Sequence, residues 1–131
     1  MLDTNMASYV ISDHDGTLNS VLEKVSLSQV CISVITEAEI LFGVQKKSSS
    51  ENLKRRVEGF FGSVASLPWG SEEAQRYAEL RFHSQAKGIT LANMDLLIAA
   101  HSIAVGATLV TNDKAFSHFS EWLRLENWIS K

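Results

Sequence analysis

The sequence predicts an α/β domain built on a parallel sheet, and three observations carry that expectation. Short apolar runs alternate with longer stretches at helical period, capping and stop residues punctuate them, and acidic residues recur just past the runs. The strand candidates are residues 1–2, 30–34, 64–67, 108–110 and a weaker 123–128. Between them, residues 18–25, 37–47, 51–61, 72–87 and 94–105 read as helices. Gly88, with Lys87 in the turn before it, and Gly106 are expected C-caps, and Pro68 stops the third strand. The last helix is apolar almost throughout after Asp95, so it is expected to be buried on most sides.

With 131 residues, one proline and 45% apolar side chains, the chain fits a single domain over residues 1–131. Its 12 Lys+Arg against 15 Asp+Glu give a net charge of −3, which excludes a surface that coats nucleic acid by charge alone. Any nucleic acid must be gripped locally or through metal ions. No apolar run approaches the ~20 residues of a membrane span. The N-terminus lacks the basic and apolar regions of a signal peptide, so a cytoplasmic protein is expected. Cys31, the single cysteine, lies in the apolar run Val30-Cys31-Ile32-Ser33-Val34 and reads as a buried, inert thiol. His14, His83, His101 and His118 show no zinc-pair spacing.

Asp3 follows the first strand, Glu39 lies just beyond the second, Asp95 opens the buried helix and Asp113 follows Val110-Thr111-Asn112. In a parallel sheet the strand C-termini share one edge, where ligands bind, so these acids are placed to converge. Each also has a plain structural reading. Glu39 completes a capping box with Thr36 in Thr36-Glu37-Ala38-Glu39, Asp113 is placed to cap a short helix leading to Phe116, and Asp3 begins the turn-forming Asp-Thr-Asn. Asp95 differs, because Thr90 and Asn93 already offer caps for its helix, and a charge at the mouth of a buried helix is costly unless paired or coordinated. Carboxylates ~4 Å apart repel by roughly 1 kcal/mol in water and ~4 kcal/mol at an effective dielectric of 20. An oxygen-only ligand set without His or Cys selects a hard cation, Mg²⁺ or Mn²⁺, which binds substrate phosphates directly. That outlines a phosphodiester-hydrolysis site.

Four segments in order, Met1-Leu2-Asp3-Thr4-Asn5, Ser33 to Gly43 around Glu39, Asp95-Leu96-Leu97-Ile98-Ala99-Ala100-His101 and Leu109 to Phe116 around Asp113, resemble the motifs of PIN-domain ribonucleases. More narrowly they resemble the VapC toxins of bacterial VapBC toxin–antitoxin pairs. The resemblance spans essentially the whole chain. It implies a PIN-like three-layer fold with strand order 3-2-1-4-5 and an Mg²⁺- or Mn²⁺-dependent endoribonuclease acting on RNA, often tRNA. It also implies a homodimer and a VapB-like antitoxin whose tail enters the active-site groove. It carries catalytic roles onto Asp3, Glu39, Asp95 and Asp113, with Asp3, Asp95 and Asp113 as metal ligands and Asn5 and Thr111 in support. Only Met1 and Leu2 precede Asp3, so the first strand is expected to be short, or the reading frame to start upstream.

Arg76 and Arg81, on the helix before the Asp95 segment, are the first candidates for RNA phosphate contacts, followed by Lys46, Lys47, Lys54 to Arg56 and Lys87. Leu53, Val57, Phe60 and Phe61 follow helical spacing and are expected in the core. Two other functions compete. Residues 9–18 resemble the Asp-x-Asp-Gly-Thr signature of haloacid-dehalogenase phosphatases, with Asp13 as nucleophile and Asp15 as acid/base, although the rest of that signature has no counterpart. A catalytically silent PIN-like binding module, with the acids serving only as caps, is the other.

Overall fold

The computed structural model describes residues 1–13, 16–46 and 50–129. In chain order the elements are α1 (Thr4–Ile11), α2 (Thr17–Lys24), β1 (Cys31–Ser33), α3 (Val34–Lys46), α4 (Glu51–Ser63), β2 (Ala65–Leu67), α5 (Ser71–Lys87), α6 (Asn93–Val105), β3 (Thr108–Val110) and β4 (Arg124–Glu126). A 3₁₀ turn at Leu27–Gln29 precedes β1, and another at Lys114–Phe119 joins β3 to β4.

Strand β1 runs parallel to β2, and β3 parallel to β4. Leu2 closes the gap between the two pairs, bridging in parallel to Ile32 on one side and Val110 on the other. Leu2 N–H donates to the Cys31 carbonyl at 2.9 Å, and Val110 N–H donates to the Met1 carbonyl at 2.8 Å. With the Leu2 segment counted as the first strand, the spatial order is 3-2-1-4-5, as the resemblance implied. That central strand is short because Asp3 already caps α1, its Oδ1 accepting from Met6 N–H at 2.8 Å.

Period-two alternation along these strands makes two cores. Leu2, Ile32 and Val110 face a cluster with Met6, Val10, Ile40, Val57 and Phe60 from α1, α3 and α4. Met1 and Leu109 face the opposite cluster, with Leu80 of α5, Leu96 and Ile98 of α6, Phe116 and Phe119. The sheet is therefore sandwiched between helices, three layers in all. Leu2 is completely buried at the centre, and truncating such a side chain to Ala costs roughly 2–5 kcal/mol. Val57 and Phe60 are core residues as expected, with Leu53 and Phe61 packed partly buried against them. Gly88 and Gly106 end α5 and α6 in the left-handed region, at φ of 68° and 69°, which a side chain would disfavour. No helix among the described residues is long and apolar enough to cross a membrane.

The structure corrects several expectations. Residues 4–11, not anticipated as helical, form α1, because the Asp3 cap and the packing of Met6, Ala7 and Val10 outweigh the strand-like run Tyr9-Val10-Ile11. In the segment that resembles the phosphatase signature, Asp13 follows the end of this helix, and His14 and Asp15 lie outside the described residues. Helix α3 starts at Val34, directly after β1, so Thr36 is a buried residue inside the helix rather than its cap. The cap is Ser33, whose Oγ accepts from Ile35 N–H at 3.0 Å. Helix α6 is preceded by Ala92 with no side-chain cap, so neither Thr90 nor Asn93 fills that place. Cys31 is half-buried rather than enclosed, since it lies beside the sheet's partly open edge with β2.

Candidate active site

The site is assembled at the C-terminal edge of the sheet, where Asp3, Ser33 and Thr111 each stand at or just past the end of a strand segment. Asp3 is 2% exposed. Beyond its cap to Met6, its Oδ2 accepts from Thr111 Oγ1 at 2.5 Å, and Thr111 Oγ1 in turn accepts from Asp113 N–H at 3.0 Å. One hydroxyl thus links the acid after the first strand to the backbone of the acid after β3. Burial pushes the Asp3 carboxyl above the usual carboxylate range, the bonds from Thr111 and Met6 oppose this, and the charges of Asp113 and Glu39 add to it.

Asp95 sits in the first turn of α6, where the helix emerges from its buried stretch through Leu96, Ile98, Ala99 and Ala100. Its pKa is pushed up to about 6, first by burial and then by the negative charges of Asp3, Asp113 and Glu39. All four sequence-identified carboxylates therefore act on one another across this edge. Asp95 accepts no hydrogen bond among the described residues.

Glu39 is not the capping residue that its spacing suggested. Its Oε1 accepts a short hydrogen bond from Thr4 Oγ1, which also lies 3.2 Å from Thr36 Oγ1. The carboxylate is drawn toward α1 and the edge rather than back to the start of its own helix, because Ser33 already satisfies the first turn of α3. Asp113 combines both readings: its Oδ1 caps the following 3₁₀ turn by accepting from Ala115 N–H at 2.9 Å, while its charge raises the pKa of Asp3 and Asp95. Asn5 is exposed in the first turn of α1, next to these groups in sequence.

Arg76 and Arg81 are not joined to this cluster. Arg76 pairs with Glu79 at 3.1 Å and shares a cavity with Leu80, Ile103 and Trp122. Ile103 is eight residues past Asp95 on α6, about 12 Å along the helix. Arg81 donates to Tyr77 Oη at 3.0 Å and lies over that ring. Lys47 lies outside the described residues. A cavity of about 510 Å³ bordered by Val10, Leu22, Arg56, Phe60 and Val64 contains none of the four carboxylates. Three hydroxyl and imidazole groups went unassigned in the sequence: Thr4, Ser33 and His101. Thr4 had a local signal, its position directly after Asp3, whereas the pairing of Ser33 with His101 at 2.7 Å joins residues 68 apart and has none.

As they stand, no three or more His, Cys, Asp or Glu side chains among the described residues lie where they could hold a metal ion together, so a bound ion would have to draw the carboxylates closer. An open set of carboxylate oxygens fits Mg²⁺ or Mn²⁺, which commonly takes one or two carboxylates and completes its shell with water and substrate phosphate. Burial first, and then the neighbouring negative charges, raise the Asp95 pKa, and the second of these is what such an ion would relieve.

Comparison with known proteins agrees with this fold. Residues 1–121 match the PIN domain family. The chain is 37% identical over 130 residues to Ribonuclease VapC2 of Rickettsia felis, covering 98% of this chain and 96% of that one. It is 29% identical, with the same coverage, to the tRNA(fMet)-specific endonuclease VapC of Shigella flexneri. Among solved structures, VapBC2 from Rickettsia felis bound to a promoter DNA fragment contains a chain that superposes with a TM-score of 0.90 at 35% identity, covering 98% of this chain and 97% of that one. With four acids at one sheet edge, the 3-2-1-4-5 order and these matches over nearly its full length, the chain belongs to the PIN-domain family and, within it, to the VapC proteins.

Proposed function

We propose that this chain is the toxin of a type II toxin–antitoxin pair, a metal-dependent endoribonuclease that cuts RNA, with tRNA as the substrate class, and is neutralised by a VapB-like antitoxin. The observation that carries the reading is that Asp95 is pushed up to about 6, first by burial and then by the charges of Asp3, Asp113 and Glu39 converging on it. Capping alone does not account for it, since Asp95 caps nothing and Glu39 bonds to Thr4 instead of its own helix. The names of the Rickettsia and Shigella relatives support RNA cleavage, and the Rickettsia structure, a VapBC complex, supports an antitoxin partner.

In this reading Asp3, Asp95 and Asp113 hold Mg²⁺ or Mn²⁺, and Glu39 completes the acidic edge. When bound, the ion supplies charge neutralisation at the scissile phosphate and acidifies the attacking water. The chain's own residues do the placing. Thr111 fixes the Asp3 carboxylate and the Asp113 backbone together, Thr4 orients Glu39, and Asn5 offers an exposed amide beside them. A groove of about 180 Å³ that includes Glu39, Ile40, Gly43 and Val44, beside exposed Leu41 and Phe42, supports docking of a partner's apolar segment next to the site. The reading further takes the chain as a cytoplasmic homodimer, to be checked by light scattering on the eluted protein.

The purified chain is expected to cleave RNA in Mg²⁺ or Mn²⁺, to stop in excess EDTA, and to lose activity in Asp95→Asn. Cleavage that persists in chelator would reject the metal mechanism. Absence of cleavage with every divalent ion, together with growth unaffected by expression without the antitoxin, would favour a silent binding module.

A further inference from the structure

We propose that His101 and Ser33 form a buried brace that sets the separation of the two helices carrying Asp95 and Glu39, so that both are positioning residues for the acidic site. The proposal rests on the nuclease reading above and extends it to two groups that touch none of the four carboxylates.

Ser33 ends β1 and is fully buried, as is His101 in the middle of α6. Along β1 the alternation turns Cys31 toward the α5–α6 core and Ile32 toward the other, so Ser33 faces α6. Its Oγ does two things at once: it accepts from Ile35 N–H at 3.0 Å, capping the first turn of α3, and it lies 2.7 Å from His101 Nδ1. One lone pair is committed to Ile35, and the hydroxyl either donates to Nδ1, with the ring's own proton on Nε2, or accepts from Nδ1–H in the other neutral tautomer. Burial favours the neutral imidazole, with Glu73 and the Pro68 carbonyl opposing it more weakly.

Nε2 finds no hydrogen-bond partner of ordinary geometry. An apolar side chain of similar size would leave no such group stranded, so packing alone does not account for a histidine here. What the imidazole adds is the tie to Ser33. From Ser33, α3 runs six residues to Glu39; from Asp95, α6 runs six residues to His101, about 9 Å along each helix. A single hydrogen bond thus joins the two helices at matched distances from their acids. Trp69 Nε1, donating to the Leu97 carbonyl at 3.1 Å, is a second tie on the same stretch of α6. Displacements of about 1 Å at such a site reduce rates on the order of a hundredfold, so a slack brace should be felt in metal binding and turnover.

The test compares Ser33→Ala, His101→Leu and His101→Asn, in which the side-chain amide replaces Nδ1 as the partner of Ser33, with Ser102→Ala. Ser102 is an equally buried serine beside His101, but it donates to the Ala107 carbonyl at 2.9 Å and has no tie to α3. Mn²⁺ affinity of the full chain is measured by calorimetry, alongside melting temperature and the kcat and KM for RNA. Ser33→Ala and His101→Leu are expected to weaken Mn²⁺ binding about tenfold and to lower kcat with KM little changed. His101→Asn should recover most of that loss, and Ser102→Ala should lower the melting temperature while leaving Mn²⁺ affinity within about twofold of the starting protein. Equal affinities throughout, or losses that merely track melting temperature in all four variants, overturn the brace. If His101→Leu does not fold, Ser33→Ala and His101→Asn against Ser102→Ala decide the question. A wild-type chain that cleaves RNA yet shows these null results rejects the brace alone, whereas one that binds no Mn²⁺ and cleaves nothing rejects the nuclease reading and the brace with it.

Discussion

Thr111 donates its hydroxyl to the Asp3 carboxylate at 2.5 Å, joining residues 108 apart in the chain and holding together two adjacent strand ends of the sheet. The bond sits in a buried place, where a hydrogen bond to a charged group contributes about 1.5–3 kcal/mol. It also pulls the Asp3 pKa down against the effect of burial, favouring the ionised form.

Thr111→Val keeps the shape and removes that donor. The variant should still fold, with stability reduced by about 1–3 kcal/mol, and RNA cleavage should fall roughly 10- to 100-fold, the usual cost of losing a group that orients a ligand. Thermal melts and single-turnover cleavage check this. Wild-type rates in Thr111→Val would remove Thr111 from the site.

The Asp95 carboxyl is raised in the folded chain, from the ordinary 3.8 to about 6. A raised acid contributes stability at pH below its unfolded value and loses it as pH climbs through the folded value. The metal-free chain should therefore lose melting temperature between about pH 4 and 6, the window from the ordinary value of 3.8 to the raised value of about 6, and Asp3, shifted in the same direction, adds to the trend. Asp95→Asn should flatten the slope and melt higher at pH 7.5. Scanning fluorimetry in EDTA reads both, and a wild-type slope in Asp95→Asn would contradict the convergence of the acids.

Glu39→Gln preserves an oxygen for the Thr4 hydroxyl while removing one negative charge from the edge. Its expected signature is opposite movement of two observables: a higher melting temperature without metal and cleavage lowered on the order of a hundredfold. A variant that lost stability and kept its activity would return Glu39 to a purely structural role.

The two arginines should separate. Arg76 is engaged with Glu79 beside Ile103, far along α6 from Asp95, whereas Arg81 has no carboxylate partner among the described residues. Arg81→Ala is expected to raise the KM for RNA several-fold and to reduce the salt slope of binding by about 0.7–0.9, the contribution of one phosphate contact. Arg76→Ala should do less on both counts. Fluorescence polarisation over a salt series decides between them, and equal effects would place both residues on the RNA path.

The positions of the four acids after apolar runs were legible in the sequence because strand ends and helix starts leave local signals: apolar runs, caps and turn residues. Their roles were less so. Glu39 matched a capping box that never forms, since Ser33 takes the cap and Thr36 becomes part of the helix interior. Residues 4–11 carried no predicted element, yet they are helical because Asp3 caps them and the sheet needs an apolar face covered at that point. Propensities of a few tenths of a kcal/mol per residue yield to such packing.

From the residues alone came the α/β class, the glycine stops of α5 and α6, and the places of four carboxylates just past apolar runs. Each depends on interactions between neighbours in the chain or on composition. Only the folded chain decided that Leu2 would join two strand pairs into one sheet, that Thr4 would claim Glu39, and that Ser33 would meet His101. These pairings link residues 30 to 108 apart, and nothing local distinguishes one distant partner from another until the cores on both faces of the sheet have packed and left each polar group a limited choice of neighbours.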